Sequence, residues 1–337
     1  MSNQIDYDAL EISSRTDLSH LANKKILVTG ASGLMGVNLL SILSKLETTS
    51  NAPKSIHAIS KSGEFPVQVE KSIKSLKLDL RNYEEVKKLD LYDYIFHFAG
   101  YGQPGKFLAD PFQTISINVT ATEQLIRKVS HGGKFIFMST SEVYSGLLNP
   151  PFTEQQIGTT SPGHSRAAYI ESKRTGEALV ALASELLGIE GISLRLALAY
   201  GPGTKTGDAR VLNSFVHQAL SEKVIRLQDG GMAWRTYCYV ADAVQMCLDA
   251  TFSGETGVFN VGGESRIQIL ELAHLIGKLT GAEVVLPETV ATIAPGAPDD
   301  VWLNLSKIKE VSRNRSLVNL EEGLMRTIEW KKSQSMV

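Results

Sequence analysis

The chain has 337 residues, 43% hydrophobic and 21% charged, which is enough for one large α/β domain or two coupled lobes. A net charge of −2 offers no field for nucleic acid or an anionic membrane, and no apolar run is long enough to span a bilayer. Two cysteines and seven scattered histidines indicate neither a disulfide framework nor a metal site. From these cysteines and histidines we expect no structural metal. Because residues 1–8 are polar and lack a signal-peptide core, we expect a cytoplasmic protein.

The first 200 residues alternate apolar runs with helical patterns. Residues 1–24 are polar, and we expect them to form an N-terminal extension that packs loosely or at an interface. Predicted strands cover residues 25–29, 55–59, 75–80, 94–98, 134–138 and 192–197, and predicted helices cover residues 37–46, 83–88, 119–129 and 169–187. This alternation predicts an α/β protein with a doubly wound parallel sheet, the Rossmann arrangement.

A glycine-rich segment, Thr29-Gly-Ala-Ser-Gly-Leu-Met-Gly36, joins the first predicted strand to the first predicted helix. Glycine permits a tight turn and lets the backbone approach a pyrophosphate, to which the helix N-terminus then offers amide donors. In this strand–turn–helix setting, Gly30, Gly33 and Gly36 predict a dinucleotide site. Without that setting the motif would be weak evidence.

The end of the second predicted strand bears on the choice between NAD and NADP, because an acidic residue there bonds the ribose diol of NAD. This chain has Ser60-Lys61-Ser62 instead. Lys61 either meets the 2′-phosphate of NADP or is a solvated loop residue, and the sequence leaves both open. Asp79, followed by Leu80, either lies near the adenine or caps the next helix.

Tyr169 and Lys173 are spaced i and i+4, so they share one face of a predicted helix. A free tyrosine has a pKa of about 10, too high for a base at neutral pH, and a nearby ammonium lowers it. The pair predicts a base that takes a hydroxyl proton while hydride leaves the same carbon. An ordinary exposed pair is the alternative, since this spacing also occurs by chance.

The predicted strand before that helix ends in Ser139-Thr140-Ser141-Glu142, and this context favours catalysis. Ligands lie at the C-terminal ends of strands in such sheets, so we expect Thr140 to hydrogen-bond a substrate hydroxyl. Glu142 serves either as a second acid or base or as a structural cap of the loop.

The regular alternation ends after residue 200, where glycine becomes frequent. We interpret residues 25–200 as an NAD(P)-binding Rossmann domain that also receives returning segments from the C-terminal part. Residues 201–330 are interpreted as a smaller, mixed lobe that closes over the substrate.

The chain resembles the extended short-chain dehydrogenase/reductases, specifically the nucleotide-sugar epimerases, dehydratases and decarboxylases, over about residues 24–330. Besides the two signatures, the matching motifs are His97-Phe-Ala-Gly100, Asn118, Ser139 to Tyr144, Arg195 with Tyr200-Gly-Pro202, Arg235 with Tyr239-Val-Ala-Asp242, and Phe259-Asn-Val-Gly262. The resemblance implies a redox triad of Thr140, Tyr169 and Lys173, and substrate contacts from Thr140, Arg210 and Arg235. It implies NAD, or NADP, bound by Gly30, Ser32, Gly33, Leu34, Met35, Gly36, Lys61, Asp79, Leu80, Phe98, Ala99, Gly100, Asn118, Tyr169 and Lys173.

Within that family the motifs around Thr140, Tyr169, Arg210 and Arg235 most resemble UDP-glucuronate decarboxylases. The sugar 4,6-dehydratases carry an Asp at the position of Ser141, which argues against loss of water. Leu198 and Val301 depart from the pattern, where an Asn and an Arg are expected.

The resemblance implies oxidation of the sugar C4 hydroxyl followed by decarboxylation of a nucleotide sugar. A 4-epimerase and an NADPH-dependent 4-keto-sugar reductase are alternatives, and the intact triad disfavours a non-catalytic dinucleotide sensor. The family further implies a homodimer through the helices predicted at residues 119–129 and 169–187. Apolar residues in excess of what one sheet face needs support this, namely Ala178, Leu179, Ala181, Leu182 and Leu186.

Overall fold

The computed structural model of the protein describes residues 4–63, 73–288, 300–313 and 315–334. The helices are α1 (Gln4–Arg15), α2 (Leu34–Lys45), α3 (Tyr83–Lys87), α4 (Pro104–Ala109), α5 (Pro111–Ile115), α6 (Thr122–Ile126), α7 (Ala167–Leu186), α8 (Val211–Ser221), α9 (Val240–Phe252), α10 (Ile269–Thr280), α11 (Ser306–Val311) and α12 (Leu320–Gln334). The strands are β1 (Lys25–Thr29), β2 (Ser55–Ser60), β3 (Ile73–Lys77), β4 (Tyr92–His97), β5 (Val129–Thr140), β6 (Glu190–Leu196), β7 (Leu198–Tyr200), β8 (Val224–Arg226), β9 (Trp234–Tyr239), β10 (Gly257–Val261), β11 (Ser265–Gln268), β12 (Glu283–Val285) and β13 (Asp300–Val301).

Seven strands form one parallel sheet in the order β10-β6-β5-β4-β1-β2-β3. The chain winds outward from β1 in both directions, which confirms the predicted doubly wound α/β fold and leaves a crevice between the ends of β1 and β4. The six predicted strands are all present. The third lies nearer the N-terminus than predicted, and the helix predicted at residues 119–129 ends at Ile126, because Val129 already begins β5.

Alternate residues of β1 enter two separate cores, as the period of two in a strand requires. Ile26 and Val28 pack on one face of the sheet, whereas Leu27 packs on the other. Helix α2 is buried on most of its circumference because it lies between the sheet, α1 and α9. This burial holds the start of α2 against the end of β1, where the glycine-rich segment lies.

The expectation of loose packing is wrong for residues 4–24, whereas the alternative, that the N-terminal extension lies at an interface, stays a prediction. Helix α1 buries Ile5, Ala9 and Ile12 and packs on α2 and α9. These residues recur at helical spacing, a pattern that the polar composition of the segment obscures. Asp8 on the same helix is also buried and accepts a hydrogen bond from the Tyr239 hydroxyl at 2.6 Å.

The C-terminal part contributes to two layers. Strand β10 pairs with β6 in the main sheet, and α9 packs on α2, so both belong spatially with the first 200 residues. Strands β7, β9, β11 and β13 form a second sheet, and β8 pairs with β12. The second sheet begins directly after β6, because its strand β7 starts at Leu198.

Candidate active site

The glycine-rich segment packs too tightly for side chains at two of its positions. Gly30 has φ +64°, and a Cβ there would lie 2.6 Å from the backbone of Phe98 and Ala99 at the end of β4. A Cβ on Gly36 would lie 2.6 Å from the carbonyl oxygen of Gly30. Gly33 is the N-cap residue directly before α2, and no side chain among the described residues caps that helix. Its first amides are therefore available to an anion, which fits a pyrophosphate.

The opposite end of the crevice presents a buried acceptor beside an ammonium. Asn118 lies in a π-helical segment, Ser116–Ala121, a distortion that often marks functional sites. Its amide donates to Ser172 Oγ at 2.9 Å, while its Oδ1 has no hydrogen-bond partner among the described residues. A Cβ built on Gly100 would lie 3.1 Å from that oxygen and 3.3 Å from Lys173 Nζ. This arrangement fits the ribose hydroxyls of a nicotinamide nucleotide.

Directly after β2, Lys61 is tied to neighbouring side chains. Its Nζ lies 3.6 Å from Asp79 Oδ2 and donates to Gln113 at 3.1 Å. Arg81 also donates to both oxygens of Asp79, and this bond lowers the pKa of the carboxyl to about 2. Asn82 rather than Asp79 caps α3, so the helix-cap interpretation of Asp79 is wrong. Leu80 is buried in the core on one face of the sheet.

The predicted redox residues meet at the C-terminal end of β5. Thr140 lies close to the hydroxyl of Tyr169, which is buried on the first turn of α7. Burial raises the pKa of Tyr169, the Glu142 carboxylate raises it further, and the nearby Thr140 hydroxyl opposes both. The expectation that this pKa lies below its ordinary value is therefore wrong for the protein without ligands.

The ammonium of Lys173 is directed to groups other than the Tyr169 hydroxyl. This is one physical reason why the pKa of Tyr169 is not lowered. Its Nζ donates to the carbonyl oxygen of Met138 at 2.7 Å and lies 4.8 Å above the ring of Phe137. Burial lowers the pKa of Lys173 to about 7, against the opposing carboxylate of Glu177. The lysine thus carries only part of its charge at neutral pH.

Glu142 is held by a residue that the sequence reasoning missed. Arg166 donates from Nε to Oε2 at 2.8 Å and from Nη2 to Oε1, and both side chains are largely buried. The cap of the turn after β5 is Thr140, whose Oγ1 accepts from the Glu142 amide. Arg166 precedes Tyr169 by three residues at the start of α7, and that spacing is the signal by which it could have been found.

The two predicted substrate arginines both lie near Tyr237. Arg210 precedes α8 and makes a two-point pair with Asp208, with Nη2–Oδ2 at 2.7 Å. Arg235 lies on β9, where it is in register with Val301 of β13. Burial raises the pKa of Tyr237, and both guanidinium groups oppose that shift. Arg210 also lowers the pKa of Tyr169, so the structure brings this arginine near the predicted base.

Residues 26–262 match the family model described as "NAD dependent epimerase/dehydratase family". The chain belongs to this family. It is 30% identical over 308 residues to UDP-glucuronic acid decarboxylase 6 of Arabidopsis thaliana, covering 90% of this chain and 87% of that protein. It is 27% identical over 319 residues to UDP-glucuronic acid decarboxylase 1 of Xenopus tropicalis, covering 93% and 73%.

Solved structures agree on the fold. An epimerase from Methanothermobacter thermautotrophicus superposes with a TM-score of 0.82 at 21% identity, covering 95% of both chains. A UDP-glucose 4-epimerase from Thermotoga maritima gives a TM-score of 0.80 at 24% identity, covering 92% of this chain and 99% of that one. The predicted family, the enzyme class and NAD as the family's cofactor are confirmed. Within the described residues, no helix is long and apolar enough to cross a bilayer.

Proposed function

We propose that this protein is an NAD-dependent UDP-glucuronate decarboxylase that begins by oxidising the sugar C4 hydroxyl. The proposal rests chiefly on the position of Thr140 close to the Tyr169 hydroxyl, at the edge of the sheet that also bears the glycine-rich segment. The similarity to plant and animal UDP-glucuronic acid decarboxylases over about nine-tenths of the chain supports the substrate.

In the first step, Thr140 holds the C4 hydroxyl and Tyr169 takes its proton. NAD, which the glycine-rich segment, Asn118 and Lys173 would hold, would supply the hydride acceptor for this oxidation. Because burial raises the pKa of Tyr169, positive charge must come close to the phenol before it can act as a base near neutral pH. Lys173 is one turn away on the same helix and is the protein group suited to supply it.

The ketone at C4 then stands β to the C5 carboxylate. The C5–carboxylate bond breaks, carbon dioxide leaves, and the electron pair passes into the C4 carbonyl as an enolate. Protonation at C5 then turns the enolate back into a C4 ketone. The hydride removed in the first step, which the reduced cofactor would supply, returns to C4, and Tyr169 gives its proton back to the C4 oxygen. Arg210 and Arg235 both lie near Tyr237 and are suited to hold the diphosphate of the substrate, since guanidinium groups bind such oxygens in pairs.

A 4-epimerase is the second candidate, and the state of Glu142 favours it. Both oxygens of that carboxylate are engaged by Arg166, so Glu142 is less available as an acid or base than a decarboxylase requires. Val301 also presents no guanidinium to a substrate carboxylate. Epimerisation at C4 needs only the triad of Thr140, Tyr169 and Lys173.

Turnover on a panel of nucleotide sugars tests the proposal. The protein with NAD is incubated with UDP-glucuronate, UDP-glucose, UDP-galactose and representative dTDP-, GDP- and CDP-sugars, and products are identified by NMR and by released carbon dioxide. We expect a UDP-pentose and carbon dioxide from UDP-glucuronate alone. Inversion at C4 without carbon dioxide supports the epimerase instead, and no turnover of any substrate contradicts both.

The cofactor preference is tested at Lys61. We propose that NAD is used, because Lys61 and Arg81 are both occupied by Asp79 rather than directed to an open 2′-phosphate site. Affinities for NAD and NADP are compared in the wild type and in Lys61→Ala. A wild-type preference for NADP that disappears in Lys61→Ala contradicts the choice of NAD.

We also propose that the protein is a homodimer through α6 and α7. Leu182 and Leu186 of α7 are 51% and 70% exposed, and with Ile126 and Leu179 they line an apolar groove between the two helices. A second copy of this face would bury these side chains in a helical bundle. The cytoplasmic location stays a prediction.

A further inference from the structure

We propose that Lys205, from the segment between β7 and α8, binds the dinucleotide pyrophosphate across from the N-terminus of α2. The proposal rests on the NAD site described above. Lys205 Nζ donates to Ser32 Oγ at 2.9 Å, and Ser32 lies between Gly30 and Gly33 in the glycine-rich segment. An ammonium from the second sheet's side of the crevice is thus already placed at the loop that faces the pyrophosphate.

The segment that carries Lys205 is tied to α2 at close range. Asn38 of α2 donates from its amide to the carbonyl oxygen of Pro202 at 2.9 Å, and both residues are buried. A Cβ on Gly203, which has φ +94°, would lie 2.6 Å from Val37 of the same helix. Because the chain is held against the first turns of α2, Lys205 follows within reach of the loop.

Lys205 adds positive charge that the N-terminus of α2 alone does not provide. A pyrophosphate bridge carries two negative charges, whereas a helix N-terminus offers the equivalent of about half a positive charge. Lysine adds a full charge and three donors, so it can bond both Ser32 and a phosphate oxygen. Its side chain is exposed, and water and salt will therefore weaken the contact.

The segment between β7 and α8 carries one residue for the cofactor and others for the substrate. Lys205 points to the cofactor loop, and three residues later Asp208 holds Arg210, which lies near Tyr169 and Tyr237. Removing the Lys205 charge should consequently weaken the binding of pyrophosphate-containing nucleotides without a comparable loss for the nucleotide sugar. A lysine that served only to brace the two sheets would show no such selectivity.

The test is calorimetric titration of NAD, ADP and adenosine into full-length protein freed of copurifying nucleotide. Lys205→Met should bind NAD and ADP about tenfold more weakly, as the loss of one partly screened charge-assisted hydrogen bond predicts, with adenosine unchanged. Lys205→Arg should keep most of the affinity. Lys45→Met is the matched control. Lys45 is the last residue of α2, far from the glycine-rich segment, and pairs with Asp6.

Salt provides a second readout. The dependence of NAD affinity on ionic strength should be shallower for Lys205→Met than for the wild type. Equal NAD affinity in the two proteins, or an equal loss for adenosine, overturns the proposal. Should Lys205→Met melt early, Lys205→Gln replaces it as the variant without the charge, and Lys205→Arg, which keeps the charge, is expected to match the wild type in salt dependence. Wild type that binds no NAD defeats the proposed function as well, whereas normal wild-type binding with an unaffected Lys205→Met defeats only this inference.

Discussion

The ring of Phe107 lies flat against the ring of Tyr169, with the two centroids 4.3 Å apart and the planes 2° apart. Phe107 comes from α4, is 2% exposed, and carries the guanidinium of Arg166 5.1 Å from its own centroid. The predicted base therefore has an aromatic wall on one face, which keeps water from the phenol. This wall contributes to the burial that raises the pKa of Tyr169.

Removing the wall should make Tyr169 a base at lower pH. In Phe107→Ala, water reaches the phenol, the burial effect shrinks, and the pKa falls towards its ordinary value. The rising limb of the pH profile of kcat/KM should move to lower pH than in the wild type. Phe112→Ala is the control, because Phe112 on the next helix is 85% exposed. An unmoved limb in Phe107→Ala would show that the stacking does not tune the base.

Tyr169→Phe keeps the ring and its stacking on Phe107 but removes the hydroxyl. Loss of a general base costs about 10²- to 10⁴-fold in rate, so kcat should fall in that range. NAD affinity should stay close to that of the wild type, because the phenyl ring is retained and Lys173 and the glycine-rich segment are untouched. A variant that keeps most of the wild-type rate contradicts the assignment of Tyr169.

The pair of Glu142 and Arg166 distinguishes the two candidate reactions. In a decarboxylase, Glu142→Gln should slow carbon dioxide release strongly while leaving NAD affinity unchanged, because the acid or base is lost but the fold is kept. In an epimerase, the same change should have a smaller effect on C4 inversion. Both rates are measured on the substrate that the panel identifies. Equal, near-wild-type rates would show that Glu142 has no part in the chemistry.

Lys173 makes stability depend on pH in the protein without cofactor. Its pKa of about 7 in the folded state is below the ordinary value of 10.5. Between these values the unfolded chain binds the extra proton, so this lysine makes the free energy of unfolding rise with pH from about 7 upward. Below pH 7 the burial penalty is present in full. Lys173→Met should lack the rise, as measured by urea unfolding at pH 6.5, 8 and 9.5, whereas Lys45→Met should retain it.

The apolar groove between α6 and α7 predicts the association state. Leu186→Glu places a charge at a position that is 70% exposed in the single chain, so the fold should be kept and the dimer lost. Light scattering at micromolar concentration should give the mass of one chain for Leu186→Glu and of two for the wild type. Leu10→Glu, at an exposed position on α1, should remain dimeric. A monomeric wild type contradicts the proposed interface.

Local patterns in the sequence determined the sheet, the dinucleotide loop and the spacing of the base. A buried strand, a glycine turn and a helix follow one another within residues 25–45, so their geometry depends on neighbours in the chain. Tyr169 and Lys173 lie one turn apart on α7 for the same reason. The element bounds were less well predicted, as with Val129, because the hydrogen-bonding partner of a strand end is remote in sequence.

Only the tertiary structure decided what surrounds those residues. Phe107 reaches Tyr169 from 62 positions away, as the numbering of the chain shows, and Lys205 reaches Ser32 across 173. The direction of the Tyr169 pKa shift also required the fold, since burial and the Glu142 carboxylate outweigh the effect expected from Lys173. Desolvation and ion pairing depend on distances in space between segments remote in the chain, and no local pattern encodes these distances.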